Sequence, residues 1–337
     1  MPRDRSSFDI QELFANLGLD SSTDLLFGES VDTLLSDHEQ DLVNDRLPFS
    51  KAEFREAFDY TQEILVRRVF AQKLYWLISP QKFKDAAKTV HEFIDYYVER
   101  AVRVAKDATY GREKQGGRYI FLEALALETD DKRVLRDQLL HILLAGRDTT
   151  SSLLSSVFYF LSRNQQVWQR LRQEILDQYG CFGENKEELT FETLKSSKYL
   201  KHVINESESS VTAILSNPLF ADSFGNQALR LIPPVPLNSR VALKDTILPV
   251  GGGSDGKSPI LVRKGQSIRY TCFAMHRRRD IWGDGADQFR PERWETFTPQ
   301  AWDFLPFNGG PRICLGREYQ FLQDQSFRFL LLVKICS

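Results

Sequence analysis

The residue types best suited to chemistry lie near the end of the chain, in the segment Phe307–Gly316 with the sequence FNGGPRICLG. This segment places Cys314 after a pair of glycines and two positions after Arg312. Positive charge and backbone N–H groups near a sulfur stabilise its thiolate form, and glycines let the backbone wrap closely around it. The residue types therefore suit a cysteine held as a thiolate; a buried structural cysteine in a glycine-rich turn is the alternative.

A second candidate is the segment Ala145–Thr150, AGRDTT, which follows the largely apolar run Leu139–Leu144. Small residues leave a notch on a helix surface, and the carboxyl of Asp148 and the hydroxyl of Thr149 beside it could handle protons. Taken alone, the pattern also fits ordinary helix packing, in which a threonine hydroxyl bonds to the preceding turn.

A third segment, Phe289–Trp294, reads FRPERW, and a solvated charged turn is its simplest interpretation. Taken with the two segments above, however, it resembles the cytochrome P450 family, the haem-thiolate monooxygenases. The resemblance covers nearly all of residues 6–206 and 229–319. In detail it is most similar to the fungal branch that hydroxylates n-alkanes and fatty acids, in the segments Phe27–Asp32, Ile247–Lys257 and Ala274–Arg278.

The resemblance implies that Cys314 is the axial thiolate ligand of haem b, through which electron density is pushed onto the iron. The glycines Gly310 and Gly316 would let the backbone pass close to the sulfur, and Phe307 would pack beside it and exclude water. Arg312 would pair with a haem propionate.

The resemblance also assigns roles outside the cysteine loop. Ala145 and Gly146 would let dioxygen and substrate approach the helix backbone, Thr149 would hydrogen-bond dioxygen, and Asp148 would relay protons to it. Arg240 and His276 would be two further propionate contacts, and Val235 and Leu237 would line the substrate pocket. For these last four positions an ordinary structural role is the alternative.

A buried charged network is implied for Glu206, Arg230 and Arg293, which would hold the loop that carries the cysteine. The sequence interrupts this pattern, because Glu206 and Arg230 must lie one helical turn apart to share a face. Instead, Gln227 stands three positions before Arg230, where the glutamate belongs.

The residues between them, Ser207–Ala228, contain a proline and a glycine and show no helical period. We interpret them as a translated, unspliced intron. Ser207-Glu208-Ser209 can be encoded with a GTGAGT donor, and Gln227-Ala228 with an acceptor ending in AG. Removal would join Glu206 through a threonine to Leu229 and restore the glutamate–arginine spacing. A genuine surface insertion is the alternative.

The elements that must position these residues are mostly helical. Arg133–Ser162 is predicted to be the longest helix, and it is apolar nearly all round in its middle. Phe8–Leu17 is also predicted to be helical, with Asp20–Thr23 as a cap for the next helix. Pro233–Pro236 cannot be helical, and short strands are predicted on either side of Lys264-Gly265. The fold class is therefore mainly α with a small β region, and the resemblance implies the cytochrome P450 fold.

The resemblance also implies that residues 1–337 are a partial haem domain. The expected membrane anchor and first helices are missing, and Gln320–Ser337 is an atypical tail. No apolar run near either end approaches the ~20 residues of a membrane span. For the complete protein, the family places the chain at the endoplasmic reticulum membrane, on the cytosolic face.

Composition adds few constraints. The formal net charge of −2 does not favour nucleic acid as a partner. Four scattered cysteines, with no CxxC pair, argue against a disulfide framework or a structural zinc site.

The expected function is a haem-dependent monooxygenase that inserts one atom of O2 into C–H bonds of long-chain aliphatic substrates, either alkanes or fatty acids. Its electrons would come from NADPH through NADPH–cytochrome P450 reductase, and its substrate would be small and apolar. The alternative is that the chain as written is a non-catalytic fragment that does not bind haem stably.

Overall fold

The computed structural model describes residues 9–35, 48–106, 119–180, 197–206, 230–231 and 233–316. The predicted insertion Ser207–Ala228 and the atypical tail Gln320–Ser337 lie outside the described residues. The chain forms two compact units, the first mainly Met1–Ser155 and the second mainly Ser156–Asn217 with Asn226–Phe321. Most described residues are helical and four short strands lie late in the chain, so the predicted fold class is confirmed.

In the first unit, the described helices are α1 (Ile10–Phe27), α2 (Lys51–Ala71), α3 (Gln81–Lys106), α4 (Phe121–Glu128) and α5 (Lys132–Arg163), the last of which continues into the second unit. A 3₁₀ helix, Gln72–Leu77, follows α2. Helix α5 confirms the predicted longest helix to within one residue at each end.

Helix α1 differs from the prediction. It runs unbroken through Asp20–Thr23 and ends at Gly28, whose positive φ of 78° suits a helix C-cap. Asp20 does not cap a following helix; its carboxylate instead accepts the backbone N–H groups of Thr33 and Leu34. The prediction of a helix boundary at Asp20 was therefore wrong, because a long-range contact uses this side chain.

The core of the first unit is an aromatic cluster between α1, α2 and α3. Phe54 of α2 stacks on Phe93 of α3 with ring centroids 3.7 Å apart, and Phe27 of α1 stacks on Tyr97 of α3 at 4.7 Å. Burial of such large rings is the main favourable term that fixes how these helices pack.

In the second unit, the described helices are α6 (Gln165–Tyr179), α7 (Lys198–Glu206) and the single turns α8 (Cys272–Met275), α9 (Arg279–Trp282) and α10 (Arg293–Thr296). The strands are β1 (Leu237–Val241), β2 (Thr246–Gly252), β3 (Ser258–Val262) and β4 (Ser267–Thr271). The two strands predicted around Lys264-Gly265 are present, but they do not pair with each other. Strand β4 pairs antiparallel with β1, and β3 pairs antiparallel with β2.

Within the described part of the chain, no helix combines the length and the apolar character that crossing a bilayer requires.

Candidate functional site

The cysteine loop in the second unit is closed by its own backbone. The N–H of Cys314 donates to the carbonyl of Phe307 at 2.9 Å, and the N–H of Ile313 donates to the carbonyl of Gly310 at 3.0 Å. Gly310 has a φ of +71°, a conformation that suits glycine, and it begins a short 3₁₀ turn that ends at Arg312. This closure presents the Cys314 thiol to solvent.

Asn308 fastens this loop to the sheet formed by β1 and β4. Its side-chain oxygen accepts the hydroxyl of Tyr270 at 2.9 Å and the amide of Asn238 at 3.3 Å. Its φ of +60° lies in the left-handed region that asparagine tolerates better than most residues. Sequence reasoning missed Asn308, although an asparagine before two glycines is a signal for a turn.

The residues around the thiol fit a haem with an axial sulfur ligand. Among the described residues, no group of three or more histidine, cysteine or acidic side chains could hold a metal ion. Leu315 is 95% exposed and Ile313 is also exposed, which offers apolar contact beside the sulfur. Gly316 is close to the sulfur, since a Cβ there would lie 3.7 Å from Sγ. The exposed guanidinium of Arg312 is a cation for a propionate.

Two of the other predicted haem or substrate contacts, Val235 and Leu237, are exposed at or near the start of β1. Arg240 is exposed on the same strand, and its guanidinium donates to the side-chain oxygen of Asn238 and to the carbonyl of Ser239. The structure thus gathers Arg240 and the anchor of the cysteine loop on one small sheet.

His276 is fully buried, and both of its ring nitrogens have backbone partners. Nε2 accepts the N–H of Leu305 at 2.8 Å, so the neutral ring carries its proton on Nδ1, which donates to the carbonyl of Arg230 at 3.1 Å. This arrangement favours a structural role for His276 over the predicted contact with a haem propionate.

The structure brings Glu206, Arg230 and Arg293 together in one buried network. The Glu206 carboxylate receives Nε and Nη2 of Arg230, each at 2.8 Å, and Nε of Arg293 at 2.6 Å. The side chains of Glu206 and Arg230 are 0% exposed. The indole N–H of Trp294 also donates to Glu206, at 2.9 Å.

The donors left over in this network go to backbone carbonyls. Nη1 of Arg230 donates to the carbonyls of His276 and Ala286 at 2.9 and 2.7 Å. A charged pair can be kept in a protein interior when its remaining hydrogen-bond sites are satisfied in this way. The network therefore ties α7 to His276, which in turn holds Leu305, two residues before the cysteine loop begins.

In the first unit, α5 carries the predicted groove residues. Ala145 is exposed and Gly146 is half-buried, and because both residues are small, no side chain projects far from the helix here. The hydroxyl of Thr149 donates to the carbonyl of Ala145 at 2.6 Å, which is the helix-packing interaction considered above as an alternative. Burial raises the pKa of Asp148, the neighbouring Arg147 guanidinium opposes this rise, and the charge of Asp59 adds to it.

Arg147 and Asp59 were missed by sequence reasoning. Nη2 of Arg147 forms an ion pair with Asp59 of α2, and Nη1 donates to Asp148 at 3.3 Å. Helix α1 also comes close to Arg147, because a Cβ on Gly18 would lie 3.0 Å from the Arg147 carbonyl oxygen. An arginine inside the helical motif was the available signal, but its partner is 88 positions upstream.

Comparison with known proteins gives a consistent set of likenesses. The family model described as Cytochrome P450 matches residues 2–207 and 222–319. The chain is 45% identical to Cytochrome P450 52A12 of Debaryomyces hansenii over 319 residues, and 45% identical to Cytochrome P450 52A4 of Candida maltosa over 318. Each match covers 93% of this chain but only 56% and 54% of the relative, so the chain spans about half the length of these relatives.

One solved structure, described as the crystal structure of cytochrome P450DA heme domain, matches with a TM-score of 0.67. It is 19% identical in sequence, and the match covers 97% of this chain and 62% of that chain. At this identity the likeness is one of fold.

Proposed function

The chain belongs to the cytochrome P450 family, and on that premise we propose that the complete protein is a haem-dependent monooxygenase with Cys314 as the axial ligand of haem b. The observation that carries the proposal is the solvent-facing Cys314 thiol on a backbone-closed, glycine-containing loop. The buried network of Glu206, Arg230 and Arg293 supports it, because it holds the segments from which that loop emerges.

When bound, haem b with a thiolate ligand activates dioxygen, so that one oxygen atom enters a C–H bond and the other leaves as water. The chain's own part is to supply the sulfur from Cys314 and a cation for a propionate from Arg312, with Arg240 as a second candidate cation. Gly310 and Gly316 let the loop approach the ligand closely, and Phe307 would pack beside the bound ligand and keep water from the sulfur.

Proton handling is assigned to α5. A carboxyl delivers protons best when its pKa is near the working pH, and burial moves the pKa of Asp148 in that direction. The Thr149 hydroxyl has its proton committed to the Ala145 carbonyl, which leaves its oxygen lone pairs free to accept another hydrogen bond. Ala145 and Gly146 add no bulk where a small molecule would approach the helix.

For the substrate we propose long-chain alkanes or fatty acids, hydroxylated with electrons from NADPH through NADPH–cytochrome P450 reductase. The support is the sequence likeness to the 52A relatives, together with the branch-like segments Phe27–Asp32 and Ala274–Arg278. The exposed apolar side chains of Val235 and Leu237 are candidates for contact with such a chain. The corresponding location is the endoplasmic reticulum membrane, on the cytosolic face.

A second candidate is that the chain as written is an inert fragment. The observation that favours it is the interruption of the family match between residues 207 and 222, within the segment Ser207–Ala228 interpreted as a translated intron. The contact between Glu206 and Arg230 argues the other way, since their pairing survives the interruption.

The deciding experiment is the carbon-monoxide difference spectrum of the reduced protein. It is recorded for the chain as written and for a version in which a threonine joins Glu206 to Leu229. The strongly red-shifted Soret band of thiolate-bound haem is expected, and it should be lost in Cys314→Ser but kept in Cys272→Ser, a matched change at a buried cysteine. A band that survives Cys314→Ser would overturn the assignment. A band seen only in the shortened version would favour the inert-fragment interpretation for the chain as written, and a transcript across residues 206–230 would then test the intron.

A further inference from the structure

We propose that Asp59 of α2 is a positioning residue for the predicted proton donor Asp148, and that it acts by holding and sharing the guanidinium of Arg147. This inference rests on the proposed function for the role of Asp148. The contacts that carry it lie within the first unit and do not depend on haem.

One guanidinium lies between two carboxylates. Nη2 of Arg147 pairs with Oδ1 of Asp59, and Nη1 donates to Oδ1 of Asp148 at 3.3 Å. The Arg147 side chain is only 10% exposed, while the side chains of Asp59 and Asp148 are 42% and 39% exposed, so water screens the carboxylates in part. Nε of Arg147 has no hydrogen-bond partner among the described residues, so the side-chain hydrogen bonds of Arg147 seen there are those to the two aspartates.

Arg147 cannot easily move toward Asp148. Its guanidinium lies over the ring of Phe58, 5.5 Å from the centroid, so two neighbouring residues of α2 contact it. Its backbone is fixed as well, because α1 approaches it closely at Gly18. The guanidinium of Arg147 is planar and its N–H groups point in fixed directions. Because α2 holds it in place, α2 determines how strongly its positive charge acts on Asp148.

The charges make the effect of Asp59 predictable in sign. The charged groups that act on Asp148 are Arg147, which favours its carboxylate form, and Asp59, which opposes it. Removing the charge of Asp59 ends that repulsion and also leaves the whole guanidinium to Asp148. Both changes lower the pKa of Asp148, whereas removing Arg147 raises it. Asp59 thus adds to the effect of burial and keeps the pKa of Asp148 higher than Arg147 alone would allow.

The test is an infrared pH titration of the full chain expressed with haem. The band of the protonated Asp148 carboxyl is identified by its absence in Asp148→Asn. Asp59→Asn should shift the apparent pKa of Asp148 downward, Asp59→Glu should leave it near the starting value, and Arg147→Gln should shift it upward. Opposite shifts from the two partners would not follow from a merely structural role. Equal titration curves for all of these proteins would overturn the inference.

The matched control is Asp95→Asn. Asp95 of α3 forms an ion pair of 2.8 Å with Arg136 of α5, so its loss also removes one helix-to-helix ion pair on α5. Arg136 lies 12 positions before Asp148, about 18 Å along the helix. Asp95→Asn should leave the titration of Asp148 unchanged, and a shift as large as that of Asp59→Asn would contradict the proposed specificity.

A second readout separates this inference from the proposed function. With reductase, NADPH and dodecanoic acid as probe, Asp59→Asn should form about tenfold less product per NADPH consumed, while its carbon-monoxide spectrum stays unchanged. If neither the chain as written nor the version that joins Glu206 to Leu229 through a threonine shows the thiolate–haem band, the proposed function fails, while the titration still reports whether Asp59 acts on Asp148. If the band is present and both the titration and the product yield ignore Asp59→Asn, this inference alone fails.

Discussion

Nε2 of His276 accepts the backbone N–H of Leu305 at 2.8 Å, and the carbonyl of the same histidine accepts Nη1 of Arg230 at 2.9 Å. His276 is therefore the connection between the buried charged network and the segment that leads into the cysteine loop. Its importance comes from hydrogen bonds made inside the protein, and haem is not needed to explain it.

We expect His276→Phe to destabilise the second unit. The substitution removes the hydrogen bonds that the ring makes with the N–H of Leu305 and the carbonyl of Arg230, and each lost bond costs about 0.5–1.5 kcal/mol. Urea unfolding followed by tryptophan fluorescence measures the effect. His276→Gln can still form a hydrogen bond with one of the two groups, so its free energy of unfolding should lie between those of the original protein and His276→Phe. A His276→Phe protein as stable as the original would show that the connection is dispensable.

Glu206→Gln should destabilise the second unit more than His276→Phe does. It removes the only charge that two buried arginines, Arg230 and Arg293, share as a partner in the described network. Breaking a buried pair by removing one partner costs about 3–5 kcal/mol. Folded yield and urea unfolding are the measurements.

The control for that change is Glu295→Gln. Glu295 pairs with Arg170 at 2.7 Å, but both side chains are largely exposed, so its loss should cost less than about 1 kcal/mol. If Glu206→Gln and Glu295→Gln lower the free energy of unfolding by similar amounts, burial does not determine how much the network stabilises the protein.

Asn308 is predicted to matter through two separable effects. Asn308→Gly keeps the backbone at a positive φ but loses the bonds to Tyr270 and Asn238, at a cost of about 1 kcal/mol. Asn308→Ala also loses the residue's tolerance of φ +60°, which should add about 1 kcal/mol. Stability should therefore fall in the order asparagine, glycine, alanine at position 308. Urea unfolding and the rate of haem release to apomyoglobin test this order. An alanine variant no weaker than the glycine variant would remove the argument from backbone conformation.

We expect His202 to make the stability of the second unit depend on pH. Burial lowers its pKa below the ordinary value of 6.5, and its Nδ1 is buried with no hydrogen-bond partner among the described residues. Below pH 6.5 the unfolded chain therefore binds a proton that the folded chain resists, so stability falls as pH drops. The loss begins as pH falls through the unfolded value and is complete once pH is below the folded one.

His202→Gln should accordingly narrow the difference in unfolding free energy between pH 8 and about pH 5. If His202→Gln shows the same pH dependence of stability as the original protein, His202 does not carry the effect.

Local pattern was enough to predict the elements that carry the site. The apolar period of Arg133–Ser162 located α5 to within one residue at each end, since periodicity is strongest in a long helix. The run around Lys264-Gly265 located β3 and β4, because turn residues separated two β-branched stretches. The resemblance to the family named Glu206, Arg230 and Arg293 despite the interrupted spacing, and these residues lie in contact.

What the sequence could not provide were partnerships between distant residues. Aspartate often caps a helix, but the carboxylate of Asp20 instead accepts the backbone N–H groups of Thr33 and Leu34. His276 stands where a propionate contact was expected, but its ring lies between two backbone groups, one of them 46 positions away and the other 29. Such contacts depend on the folded topology, and no local periodicity reports them.

Arg230 binds groups 24, 46, 56 and 58 positions away along the chain. Contacts of such separation form only after long loops have closed, and loop closure is what slows folding. The guanidinium therefore cannot nucleate the second unit; its hydrogen bonds can form only when three distant stretches of chain have already come together. The same convergence works in reverse during unfolding, where the first stretch to detach removes hydrogen-bond partners of Arg230 and lowers the barrier for the other two.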